Sequence, residues 1–177
     1  SRNCQGWQRR LDATSKWQKA NRSRSMQLFI LAVGKGRASP ENTLTQGWLS
    51  RLPQGGSLIE VESKFPPGQK RTDDESSRLL RAMPDGAALA VLDPRGKDHS
   101  SEDLAALIGT WRDGGFAAAC FAIGGADGHA DMMRQKAERS ISFGRATWPH
   151  MLFPAMLAEQ LYRASAILAG HPYHRGD

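Results

Sequence analysis

A chain of 177 residues with 40% apolar and 24% charged residues is long enough for one globular domain with a sizeable core. It has no run of 18 apolar residues and no apolar leader, and its two cysteines, Cys4 and Cys120, stand far apart. These features argue against a membrane span, a secretory signal, a disulfide framework and a zinc site, and fit a reducing cytoplasm. The net charge of +6 is local: residues 1–25 carry seven basic residues against Asp12 alone, and the remainder is balanced at seventeen of each sign, so the charge says nothing about the body's partners.

In chain order, residues 1–25 are rich in Arg, Ser, Gln and Asn and poor in aliphatics. They are expected to form a basic, disordered or non-native extension ahead of a start at Met26, with an RNA-touching arm as the alternative. MQLFILAV (26–33) is a continuous apolar run closed by Gly34-Lys35-Gly36, the pattern of a strand buried on both faces. Ser39-Pro40 reads as an N-cap with proline at the first helical position, ahead of Leu44, Trp48, Leu49 and Leu52 at helical spacing. SLIEV (57–61) is a second strand. Thr72 and Glu75 form a T-x-x-E capping box before Leu79, Leu80 and Met83. AALAVL (87–92) is a third strand, ended by Asp93-Pro94-Arg95-Gly96, and Ser100 or Ser101 caps the next helix. AAACFAI (117–123) is a fourth strand, ending in Gly124-Gly125. A helix near 129–139, a strand at 141–143 and a long amphipathic helix over 153–169 complete the chain. Strand and helix alternate, which predicts an α/β fold: a parallel sheet with helices on both faces. The last helix is apolar on more than one side, which fits either a dimer interface or a central core helix.

Ligands of open parallel sheets bind beyond the C-terminal ends of the strands. Three ends stand out: Leu92-Asp93-Pro94, Gly124 to Gly128, and Gly144 to His150. Neither a GxGxxG nor a P-loop pattern is present, and no G-x-S-x-G elbow supports a hydrolase. The histidines lack metal spacing, so no metal is expected. His99 and His129 are expected to face solvent. His150 reads equally well as a site residue or a cap, and Trp148 as core or cleft wall. The tail HPYHR (171–175) collects imidazoles, a phenol and a guanidinium, groups suited to a base and a phosphate.

FAIGGADG (121–128), TWPHML (147–152), AEQLYRA (158–164) and HPYHR (171–175) occur in this order, after LDPRGK (92–97). Together they resemble the RlmH family, the SPOUT-class methyltransferases of large-subunit ribosomal RNA that act on pseudouridine N3. The resemblance runs from Met26 to the end, making 26–177 one SPOUT domain. It implies a C-terminal trefoil knot and a homodimer in the cytoplasm whose sites are completed across the interface. S-adenosylmethionine would be the methyl donor and large-subunit rRNA within the ribosome the substrate. It further implies that Leu92, Gly125, Gly144, Arg145, Ala146, Thr147, Trp148 and Pro149 line the donor site. The tail would reach into the cleft with Tyr173, His174 and Arg175 as catalytic-site residues beside His150. The sequence departs from the family at Pro154, where an arginine is usual. The runner-up reading is a non-catalytic nucleotide- or RNA-binding protein on the same scaffold.

Overall fold

The computed structural model describes residues 26–175; the extension before Met26 lies outside them. Five strands alternate with five helices: β1 (Gln27–Val33), α1 (Pro40–Leu49), β2 (Gly56–Val61), α2 (Gln69–Ala82), β3 (Ala88–Asp98), α3 (Ser101–Asp113), β4 (Ala118–Ile123), α4 (Asp131–Lys136), β5 (Arg139–Ser142) and α5 (Phe153–Leu168), followed by a 3-10 turn over Pro172–Arg175. The sheet order is β2-β1-β4-β3-β5 and every neighbouring pair is parallel. Registers Val33 with Val61, Ala32 with Ile123, and Leu92 with both Ile123 and Ile141 bring the strand ends into one row.

The unbroken apolar runs are explained by burial on both faces. Leu28, Ile30, Ala90, Leu92, Phe121 and Ile123 pack under α1, α3 and α5, while Leu31, Val33, Leu89, Val91, Cys120 and Ala122 join Leu79 of α2 and Met133 of α4. Alternate residues of each strand thus serve opposite layers. Ser39 caps α1 by accepting from the Asn42 N–H at 3.0 Å, and Ser100 forms a reciprocal capping box with Asp103 on α3.

Several expectations change. The Thr72–Glu75 box does not form: α2 begins at Gln69 after Gly68 (φ +135°), Thr72 bonds back to the Gly68 carbonyl, and Glu75 receives Arg71. The glycine lets the chain turn into the helix one turn earlier than the motif suggests. β3 does not stop at Asp93. It leaves the ladder after Leu92 and resumes pairing at Lys97, opposite the same Ile141. Gly96 makes this excursion fit, since a Cβ there would sit 2.7 Å from the Ile141 nitrogen. α4 is shorter than expected, β5 starts earlier, and Leu44 faces solvent while Thr45 is buried.

α5 lies between α1 and α3, with Leu157, Ala158, Leu161 and Ala164 fully buried. Its wide apolar surface is satisfied inside its own chain, so the helix is the central core helix and its hydrophobicity is no argument for a dimer. Pro154 sits in the first turn, where no N–H is needed.

Candidate functional site: a cleft at the strand ends

The excursion of β3 after Leu92 and the loops that follow β4 and β5 line an open cleft of about 450 Å³, within the size range of small-molecule sites. Its lining includes Leu92, Gly125, Gly144, Arg145, Ala146, Thr147, Trp148 and His150. Three stretches separated by up to some fifty residues therefore meet in one place. Pro149 is not part of the lining. Its carbonyl instead accepts the Leu152 and Phe153 amides and starts α5.

Each loop has a local reason for its shape. The Gly124–Gly128 turn closes on itself, with the Gly128 amide donating to the Gly125 carbonyl at 3.0 Å. A Cβ on Gly124 would stand 2.7 Å from the Gly128 backbone, and one on Gly125 2.7 Å from the Glu75 carboxylate beneath it. At Gly124 the neighbour is backbone and only glycine fits, while at Gly125 the Glu75 side chain would have to give way; a ligand meets bare backbone at both. Gly144 takes φ +87° and its amide donates to Asp98. The 143–152 loop then runs from the edge strand β5 across the ends of β3 and β4. It ends with His150 donating Nε2–H to the Val33 carbonyl of β1 at 2.6 Å. A carbonyl can only accept, so Nε2 carries a proton, and in the neutral ring Nδ1 holds the lone pair. Trp148, 41% exposed, donates to the Phe143 carbonyl and forms cleft wall rather than core. The Phe143–Phe153 ring pair, which sequence spacing gave no reason to single out, closes the apolar end.

Behind the cleft lies a buried polar layer. Asp93 is buried and accepts from the Arg95 amide and side chain and from Arg134 Nε at 2.8 Å. Arg95 first, opposed by burial and then aided by Arg134, holds its carboxyl well below the usual range. His129 is buried, not solvent-facing, and its Nε2 meets the Ala122 carbonyl at 3.1 Å. Burial lowers its pKa and keeps the ring neutral. His99 is half-buried, bonded to the Lys97 carbonyl. Burial pushes the Cys120 thiol up to about 12, which leaves it inert. Among the described residues, no three His, Cys, Asp or Glu side chains cluster to hold a metal ion.

The tail is seated elsewhere. The Tyr173 ring packs edge-on to Tyr162 at 4.9 Å and near Trp48 at 6.0 Å, Arg163 lies over it, and its hydroxyl donates to Glu159 at 2.9 Å. Burial and that carboxylate push the phenol up to about 12. His174 meets Glu102 at 2.8 Å and Arg175 is exposed. None of the three lines the cleft of its own chain. The aromatic contacts and the Glu159–Arg163 ion pair on α5 hold it against the helices instead.

Residues 26–174 match the family model described as "Predicted SPOUT methyltransferase". The chain is 49% identical over 151 residues to the ribosomal RNA large subunit methyltransferase H of Paramagnetospirillum magneticum, covering 85% of this chain and 99% of that protein. It is 48% identical to the protein of the same name from Rhodospirillum centenum and 45% to that of Xanthobacter autotrophicus, with the same coverage. An α/β fold with a parallel five-stranded sheet, a glycine-walled cleft at its strand ends and these matches place the chain in the SPOUT methyltransferase family.

Proposed function

We propose that this chain methylates N3 of a pseudouridine in large-subunit ribosomal RNA, acting on the ribosome in the cytoplasm with S-adenosylmethionine as donor. The observation that carries the reading is the meeting of three distant stretches in one cleft, whose wall at Gly124 has no room for a Cβ. The residues fit the donor: bare backbone for close approach, and Leu92, Phe143 and Trp148 for apolar and stacking contact. When bound, S-adenosylmethionine supplies an electrophilic methyl group. The chain's task is to hold a ring nitrogen in line with that group and to take the N–H proton as the N–C bond forms and the donor's S–C bond breaks, its electron pair leaving on the thioether sulfur. His150 is the candidate acceptor within the cleft. Its Nε2–H is committed to Val33, and Nδ1 carries the free lone pair. Arg145, exposed on the same wall, suits a phosphate of the target strand.

The reading includes the trefoil knot, supported by the 143–152 loop that crosses two strand ends before α5 returns between α1 and α3. It also includes a homodimer. The roles of Tyr173, His174 and Arg175 toward a nucleoside then belong to a cleft of the second copy, since their own cleft does not receive them. Trp148 and Met151, apolar and exposed near the cleft mouth, suit such a contact. The test is calorimetry with S-adenosylmethionine, then methyl transfer to intact ribosomes and free rRNA, with the modified nucleoside identified by mass. Methylated pseudouridine from ribosomes is expected. Donor binding with no transfer to either RNA would favour the non-catalytic binding protein.

A further inference from the structure

On the far side of the cleft's loops lies a second cavity of about 710 Å³, between the first turn of α2, the start of α4 and Arg95. The two spaces share walls: Asp93 and Gly128 face the cleft, while Arg95, Asp127 and His129 face the second cavity. We propose that this cavity seats one unit of RNA backbone, a phosphodiester with its ribose 2′-hydroxyl, next to the nucleotide being methylated. The proposal rests on the rRNA reading above and extends it to a substrate contact.

The lining is mixed, and the mixture is the argument. Arg95 is exposed over 70% of its side chain, yet buried Asp93 grips it through Nε and Nη2, both at 3.1 Å. That fixes one edge of the guanidinium and leaves its remaining N–H donors for an anion. Arg134 is tied to the same carboxylate. The first turn of α2 adds a positive end: Gly68 offers no side-chain cap, and no acidic residue stands in that turn. Lys70 is there instead, 4.5 Å over the ring of half-exposed Phe65, a surface on which a neighbouring base can stack, while Arg71 is paired with Glu75. These groups call for a phosphate. The acceptors call for something else. Asp127 and Asp131 are exposed carboxylates on the same lining, and Asp131 already accepts from Arg134 Nη1 at 3.1 Å. A plain anion has no donor for them, whereas a ribonucleotide offers the 2′-hydroxyl.

The test uses the full chain, a short single-stranded RNA and the DNA of the same sequence, titrated over a salt series, beside donor calorimetry and the KM for ribosomes. Arg95→Ala is expected to weaken RNA binding about ten-fold and to reduce the salt slope by about 0.7, as for one phosphate contact on a single strand. The DNA keeps the phosphate but lacks the hydroxyl, so it should bind the wild type more weakly than the RNA and lose a similar factor in Arg95→Ala. Donor affinity should not move. Arg95→Lys keeps the charge without the fork and should recover part of the loss. Arg81→Ala, the same charge change at the far end of α2, should change nothing. Unchanged RNA affinity and slope in Arg95→Ala overturn the proposal, as does equal wild-type affinity for RNA and DNA. So does loss of donor binding, which would make Arg95 a prop for the cleft. Failure of the wild type to methylate ribosomes while it still binds RNA through Arg95 sinks the enzymatic reading and leaves the seat standing.

Discussion

The cleft loops and the C-terminal tail were both marked in the sequence as places for chemistry, and the structure treats them differently. The loops turn bare backbone and unpaired side-chain groups toward an open space. The tail spends its chemistry on its own chain: Tyr173 is packed against two aromatic rings and bonded to Glu159, and His174 is paired with Glu102. A glycine turn at a strand end can do little except admit something to the backbone. An aromatic, basic segment can serve a substrate or a helix face, and residue types alone do not decide between them.

The sharpest way to break the comparison is to remove residues 170–177. If the tail serves a second copy's cleft, methyl transfer is abolished while donor affinity stays within about two-fold of wild type, because no upstream loop is disturbed. A truncated protein that still methylates ribosomes at the normal rate would reduce the tail to a packing element. Loss of donor binding would mean that the tail supports the cleft through α5. The converse change is Gly125→Ala. Its Cβ meets the Glu75 carboxylate at 2.7 Å, so either the loop or Glu75 must move. Overpacking of this kind costs roughly 1–3 kcal/mol, and calorimetry should show donor affinity falling by about ten- to a hundred-fold. The unfolding temperature should fall by a few degrees, and the tail's contacts should change little.

What the sequence made legible follows from how local each signal is. The layering of the sheet could be read because strands buried on both faces are apolar without a gap, as in 26–33 and 117–123. The caps at Ser39 and Ser100 depend on three or four adjacent residues. The cleft loops could be read because strand ends in a parallel sheet share one edge. Non-local arrangements were missed. The re-pairing of Lys97 with Ile141 needs β5 in place before Gly96 has a meaning. His129 reads as a loop histidine until α2 and α4 close over it, and Tyr173 reads as a free platform until α1 and α5 stand side by side. The strand order β2-β1-β4-β3-β5 is likewise unwritten in any short stretch.

A milder change separates packing from chemistry in the tail. Tyr173→Phe keeps the ring contacts and removes the bond to Glu159, at a cost of about 1 kcal/mol. Tyr173→Ala gives up the ring as well and should cost roughly 2–3 kcal/mol, less than a fully buried aromatic because the residue is half-exposed. Denaturant unfolding measures both. Equal costs would show that the ring contacts with Tyr162 and Trp48 contribute nothing and that the tail is held by its hydroxyl alone.

The smallest effect tests the two regions through pH. His129, behind the cleft, has its pKa lowered by burial, the leading cause, while the Ala122 carbonyl and Asp93 pull the other way. In the unfolded chain a histidine takes its proton near pH 6.5. Below that pH the unfolded state binds a proton that the folded state refuses, so stability is full above about 6.5 and falls as pH drops, by at most about 1.4 kcal/mol per pH unit. Asp93, whose folded pKa is depressed, also loses stability as pH falls, but only below its own unfolded value of 3.8. The window between pH 6.5 and 4.5 therefore isolates His129. His129→Gln, whose amide can still donate to the Ala122 carbonyl, should flatten the slope of stability in that window. His174→Gln removes a pair with Glu102 that is open to water at the tail, where solvent screens the interaction, and should leave the slope as it is. Urea unfolding of the three proteins at pH 7, 6 and 5 decides it. A slope that survives His129→Gln and disappears in His174→Gln would move the pH sensitivity from the buried layer behind the cleft to the tail, reversing the contrast between the two regions.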